Sequence, residues 1–216
     1  MTELLDIYDA YGNHIGVKDR QLVHALGLWH KTIHCWLTCG SRTNPSVIFQ
    51  MRASTLPDNP AKLYTTASGH VRTGESLADA FTREIGEELG IPAPNNPQKL
   101  FEIIYKTDFK RRNGSDFHDR VFCNIYTAHT DIPLQQFHPQ DSELDGVFAI
   151  NIREALDLFY EKRDYVISQS YHRLNGEYML STTKLTATDF LCNPNETLIE
   201  KYARTLETIL SKSQKF

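Results

Sequence analysis

The chain has 216 residues, a formal net charge of −4 at pH 7, 40% hydrophobic and 23% charged residues, and four cysteines. That length suits one domain with a sizeable core, in a composition ordinary for a globular protein. The weak acidic balance argues against nucleic acid as a partner, no apolar run approaches a membrane span, and scattered cysteines do not make a disulfide scaffold. The start, Met1-Thr2-Glu3-Leu4-Leu5-Asp6, is acidic and lacks a leader pattern, so the expected compartment is a reducing cytoplasm.

In chain order, Leu4 to Tyr8 predicts a strand closed by the turn Tyr11-Gly12-Asn13, and Lys18 to Leu26 a short helix stopped by Gly27. Thr32 to Thr38 and Val47 to Arg52 predict strands joined by a polar hairpin at Gly40 to Pro45. Cys35 and Cys39 lie four residues apart on or just past the first of these. They are about 13 Å apart if extended, too far for one zinc. Pro57 and Pro60 mark Ser54 to Lys62 as a loop, and Leu63 to Ala67 leads into the next helix. That helix spans Ser76 to Leu89, with Gly90 and Pro92 as its stop. Lys99 to Thr107 and Asp116 to Thr127 predict strands joined by a basic turn at Lys110-Arg111-Arg112. Gly146 to Asn151 predicts another strand. Ile152 to Glu161 and Glu196 to Lys212 predict helices. Tyr165 to Asp189 is polar and carries no clear period. Hairpins interspersed with helices predict an α+β or mixed-sheet α/β fold in a single domain, 1–216.

The helix after Gly69 carries the chemistry. Leu77, Phe81, Ile85 and Leu89 repeat every four residues as a core-facing stripe. Glu84, Glu87 and Glu88 stand at i, i+3 and i+4 on a neighbouring face. Like charges so placed repel, and hard cations such as Mg²⁺ or Mn²⁺ remove the penalty by taking carboxylate oxygens as ligands. Gly69 and Gly74 give the preceding loop conformational freedom. Arg83 and Glu75 suit a bidentate pair that fixes this loop to the helix.

The full spacing is Gly69, five residues, Glu75, seven residues, then Arg83-Glu84-Ile85-Gly86-Glu87-Glu88-Leu89-Gly90-Ile91. It resembles the Nudix box, with every specified position filled over residues 69–91. The resemblance implies the Nudix fold, a mixed sheet in an α/β/α sandwich. It also implies a metal-dependent hydrolase of diphosphate linkages, in nucleoside diphosphate derivatives or similar small molecules. Gly69 (through its carbonyl), Glu84, Glu87 and Glu88 are the implied metal ligands, with Glu84, Glu87 and Glu143 as candidate catalytic carboxylates. Glu75, Arg83 and Gly90 are the structural members of the motif.

Asp6-Ile7-Tyr8-Asp9, Gly12-Asn13 and Gly27-Leu28-Trp29-His30-Lys31 are similar to the isopentenyl-diphosphate-isomerase-like branch of that superfamily. The isomerase itself is disfavoured. Its pattern has a cysteine before Gly-His, whereas this chain has Ser68 before Gly69-His70. It also has an E-x-E pair where this chain reads His118-Asp119-Arg120-Val121. A non-catalytic ligand-binding module is disfavoured because all the box carboxylates are present. Arg52 and His70 are candidate substrate contacts, and Asp116 and Asp119 weaker acidic candidates. Lys110, Arg111 and Arg112 could hold a phosphate, and Trp29, Trp36 or Phe117 could stack on a base. Residues 160–216 lie outside the resemblance, with a pocket cap or a homodimer contact as the expectation.

Overall fold

In the computed structural model, residues 3–56, 59–95, 97–110, 114, 116–192 and 197–213 are described. β1 (Leu4–Tyr8) and β2 (His14–Asp19) form an antiparallel hairpin. The Asp9 carboxylate makes its turn by accepting from the Tyr11 and Asn13 backbone N–H groups, both at 2.9 Å. α1 (Arg20–Leu26) starts one residue after this hairpin's last pair, with Asp19 as its N-cap and Gly27 in the left-handed region as its stop. Lys18 therefore belongs to β2 and not to the helix expected there. Its backbone is committed to pairing with Leu5.

β3 (Trp29–Ser41) is the centre of the sheet. It runs parallel to β8 (Asp116–His129) along one edge, and antiparallel to β6 (Ala67–His70) and then β4 (Asn44–Arg52) along the other. β5 (Leu63–Tyr64) pairs with β4, β7 (Gln98–Lys110) with β8, and β9 (Leu144–Asn151) with the far edge of β4. Beyond β9 come β10 (Val166–Leu174) and β11 (Glu177–Leu185). Among the described residues the sheet is mixed and eleven-stranded.

Alternation along the strands divides the core. Val47, Phe49, Phe148 and Ile150 face α3 (Ile152–Phe159) and α4 (Arg204–Ser213). Ile33, Leu37, Ile48 and Val147 face α2 (Leu77–Leu89), which buries Phe81, Ile85 and Leu89 completely. Helices thus cover both faces, and the expected mixed-sheet α+β architecture holds. No helix among the described residues is long and apolar enough to cross a membrane.

The largest departure from expectation lies at residues 165–189, where two nine-residue strands replace an unassigned polar stretch. The inward positions of β10 include Ser168 and Ser170, both fully buried. Their hydroxyls donate to the carbonyls of Thr183 and Ser181 across the hairpin. A strand that buries hydroxyls satisfied by its partner shows no hydrophobic alternation in its sequence. The C-terminal segment also completes the core: Tyr202, Leu206 and Ile209 pack with Trp36 and Phe49. Trp36 is therefore a core residue. The basic turn after β7 lies largely outside the described residues, and Lys110 pairs with Asp116 at 2.9 Å.

Candidate active site

α2, β6 and the loop before β9 surround a cavity of about 370 Å³ that Gly69, Glu84, Glu87, Glu88 and Glu143 help to line. The helix exists because Ser76 caps it, accepting from the Asp79 N–H at 3.1 Å, and because Gly90 ends it in the left-handed region. A Cβ at Gly90 would also run into the His138 carbonyl. Gly69 is needed for a different reason. A Cβ there would collide with the Glu84 carboxylate, so only glycine lets β6 lie against the acidic face.

Arg83 grips this assembly. Its Nε and Nη2 donate to the two oxygens of Glu75 at 2.7 and 2.9 Å, and Nη2 also donates to the His70 carbonyl at 2.8 Å. Its Nη1 donates to Glu84 at 2.6 Å and to Glu87 at 3.1 Å. Burial alone would raise the Glu75 carboxyl, but the hydrogen bonds from Arg83 and the Arg72 N–H hold it below the ordinary range.

The carboxylates differ among themselves. Glu87 is exposed, with Arg72 donating to both its oxygens. Glu84 and Glu88 are only 6% and 7% exposed. Burial pushes the Glu84 carboxyl up, against the pull of Arg83. Burial pushes Glu88 well above its ordinary value, and the charges of Glu84 and Glu143 push it further. Its Oε2 accepts from the Ser68 N–H at 3.2 Å. Buried carboxylates that raise one another need a cation to stay ionised at low cost. The all-oxygen donor set fits Mg²⁺ or Mn²⁺.

The opposite wall was not visible in the sequence. His24 of α1, His30 of β3 and His70 of β6 each offer a ring nitrogen within 4.8 Å of the others. His24 Nδ1 donates to the Arg20 carbonyl at 2.8 Å and His30 Nδ1 to the Leu28 carbonyl at 3.1 Å. A carbonyl only accepts, so in a neutral ring each Nε2 keeps its lone pair. Asp119 Oδ1 of β8 stands 3.4 Å from His30 Nε2 and 3.6 Å from His24 Nε2. Among the described residues, both His30 Nε2 and Asp119 Oδ1 are buried without a hydrogen-bond partner. Burial lowers the affinity of His30 and His70 for protons, well below the ordinary value for His70. Three imidazoles and a carboxylate, two rings oriented by carbonyls behind them, fit a borderline transition ion such as Zn²⁺. Of these residues, sequence reasoning singled out only His70 and Asp119, the latter weakly. The four come from separate elements, with no metal-type spacing among them.

Other expectations resolve individually. Phe117 lines the cavity and stacks on His24, rings 4.4 Å apart. Trp29 packs on Phe122 instead. Asp116 is occupied by Lys110. Arg52 is not among the cavity-lining residues; its Nε donates to the Asn59 carbonyl at 3.3 Å, and its charge is felt at Glu88. Arg111 and Arg112 lie outside the described residues.

A mixed sheet between helices, with a carboxylate-bearing helix against a glycine strand, defines a class. The NUDIX domain model matches residues 28–170, and the chain belongs to the Nudix family, whose hydrolases generally act on pyrophosphate bonds with divalent metal ions. The chain is 35% identical over 170 residues to an uncharacterised Nudix hydrolase of Clostridium acetobutylicum, covering 78% of this chain and 80% of that one. It is 26% identical over 159 residues to the isopentenyl-diphosphate Delta-isomerase of Cutibacterium acnes, covering 70% and 75%. A crystal structure of a Deinococcus radiodurans protein shares the fold, with a TM-score of 0.54 at 17% identity, covering 74% of this chain and 90% of that one.

Proposed function

We propose that this protein is a metal-dependent pyrophosphohydrolase of small-molecule diphosphates, with nucleoside diphosphate derivatives as the first class to test. The observation that carries this reading is the convergence of Glu84, Glu87, Glu88 and Glu143 on one cavity, beside a glycine that no other residue could replace. Glu84, Glu87, Glu88 and the Gly69 carbonyl would hold Mg²⁺ or Mn²⁺. The cation, when bound, neutralises charge that develops on phosphate oxygens in the transition state.

Glu143 approaches from the facing loop. Among the described residues its carboxylate makes no ion pair, so it is free to accept the proton of the attacking water. Water adds to one phosphorus, the bridging P–O bond breaks, and both products leave carrying phosphate. Arg83 and Glu75 hold the strand and helix in register and do no chemistry. His24, His70 and Asp119, which line the cavity, and His30 behind them would hold a second cation, which would supply positive charge for a polyanionic substrate. Arg52, at the end of β4, does not line the cavity, and its charge favours the ionised form of Glu88.

A second reading is isomerisation of isopentenyl diphosphate, favoured by the resemblance to an isomerase at 26% identity. Ser68 speaks against it, because a hydroxyl is far too weak an acid to stand in for a thiol. The test is a turnover panel of nucleoside diphosphates, nucleotide sugars, dinucleotides and diphosphate cofactors with Mg²⁺ or Mn²⁺. Metal-dependent cleavage of at least one member is the expected result. No cleavage of any member with either ion would remove the hydrolase reading.

A further inference from the structure

The family match ends at residue 170, inside β10. The chain beyond that point reaches back to the loop before β9. β10 pairs with β9 only as far as His172 opposite Gly146. The hairpin then runs on through Arg173, Leu174, a turn at Asn175-Gly176, Glu177 and Tyr178, with Arg173 and Tyr178 as cross-strand partners. This overshoot lies alongside the loop that precedes β9, the loop that carries Glu143.

Three groups of contacts hold that loop. On its inner side the end of α2 accepts from it: the Leu89 carbonyl from the His138 N–H at 2.8 Å, and the Glu88 carbonyl from the Gln140 N–H at 2.9 Å. From the end of β4, the Ala53 N–H donates to the Glu143 carbonyl and the Ser54 N–H to Asp145, both at 2.7 Å. The third group is the hairpin. Arg173 pairs with the Asp141 carboxylate. The Tyr178 hydroxyl lies 3.2 Å from Asp141 Oδ1 and 3.3 Å from the Leu144 carbonyl, positioned to donate to either. The Arg173 guanidinium lies over the Tyr178 ring at 5.2 Å, and that ring stacks on Tyr171 at 5.4 Å. The hairpin also approaches closely at the loop's exit, where a Cβ on Gly146 would collide with His172.

These contacts bracket two residues, Ser142 and Glu143. Asp141 is two positions before Glu143, and Leu144 is the position after it. We infer that the C-terminal hairpin positions Glu143, with Arg173 and Tyr178 as positioning residues that fix where its carboxylate meets the cavity. The inference rests on the reading of Glu143 as the proton acceptor. The contacts are poorly suited to holding the whole fold together. The Asp141 side chain is 72% exposed, and pairs so exposed to water contribute little to global stability. Their effect is local: they remove freedom from a loop whose placement sets a proton transfer, where an ångström of displacement costs orders of magnitude in rate.

The test uses the full chain with Mg²⁺ and the panel member that the wild type cleaves fastest. Tyr178→Phe and Arg173→Gln are each expected to lower kcat about tenfold, with KM within about twofold and an unchanged melting temperature. Arg173→Lys, which keeps the charge, should recover part of the loss. Amide hydrogen exchange should quicken across 140–145 in the two variants and stay slow across α2. Wild-type kcat and wild-type exchange in both variants would overturn the inference. So would a loss of kcat that tracks a fall in melting temperature with exchange rising throughout the molecule. Glu143→Gln is the reference. Full activity in that variant would refute the base assignment and the catalytic half of the inference, while exchange across 140–145 still reports whether the hairpin holds the loop.

Discussion

The two walls of the cavity are built in opposite ways. The acidic wall comes from one helix, with Glu84, Glu87 and Glu88 on adjacent turns of α2 and Arg83 of the same helix tying Glu84 and Glu87 to Glu75. The imidazole wall is assembled from α1, β6 and β8, which give His24, His70 and Asp119, with the buried His30 of β3 behind them. Glu84 and Glu88 are buried, as are His24 and His30, and among the described residues His30 Nε2 and Asp119 Oδ1 are buried without a hydrogen-bond partner; the two clusters differ in donor chemistry. Oxygen-only carboxylates suit hard ions, and imidazoles suit borderline ones. They meet on β6, where Gly69 packs against Glu84 and the next residue, His70, joins the histidines. Local spacing can set a cluster of carboxylates, but a mixed cluster of neutral donors depends on the sheet bringing distant strands into register.

The largest effect is expected at the clamp, which only the acidic wall has. The Arg83 and Glu75 side chains are 14% and 13% exposed. Truncating either one strands a buried charge at a cost of about 3–5 kcal/mol. Arg83→Ala should lower melting temperature and activity together, and Glu75→Ala should show milder forms of both. A double-mutant cycle on unfolding free energy should give strong coupling, and strictly additive losses would mean the pair does not hold the loop.

Next come the carboxylates. Glu84→Gln or Glu88→Gln should cut turnover at least about a hundredfold. Neither variant should be less stable than wild type, because like-charge repulsion among buried acids falls. Near-wild-type turnover of both at saturating Mg²⁺ would remove the acidic wall from the site.

The imidazole wall is separated by its choice of metal. Added Zn²⁺ should bind to metal-stripped protein and raise its melting temperature by several degrees. A ligand at about a hundred times its Kd adds about 2.7 kcal/mol, and each 1 kcal/mol moves a protein of this size by about 2–4 °C. His30→Asn and Asp119→Asn should lose that shift, whereas Glu87→Gln should keep it. A Zn²⁺ shift that survives in His30→Asn but disappears in Glu87→Gln would place the ion on the wrong wall.

The smallest expected effect is none at all. Incubation with isopentenyl diphosphate and Mg²⁺ should leave the double bond in place, because Ser68 supplies no thiol. Formation of the acid-labile allylic isomer above a no-enzyme control would overturn the argument from Ser68 and restore the isomerase reading.

α2 was legible in the sequence, with its stop and its acidic face, and so were the β3–β4 hairpin and the mixed character of the sheet, while Ser76 proved to be the cap and not the first helical residue. Each of these is encoded locally: Ser76 and Gly90 bound a helix whose four-residue stripe is apolar, and the Arg83–Glu75 spacing closes a short loop. The rest was settled by tertiary contacts. β2 ends at Asp19 and not before Lys18, because pairing with β1 outweighs helix propensity in those residues. β10 and β11 were hidden because Ser168 and Ser170 point inward with their hydroxyls satisfied across the hairpin, so burial there has no apolar signature. His24 and His30 looked like any other histidines until β3, β6 and β8 stood side by side. A contact between residues 24, 30, 70 and 119 is a property of strand order and register, which no short window of the sequence contains.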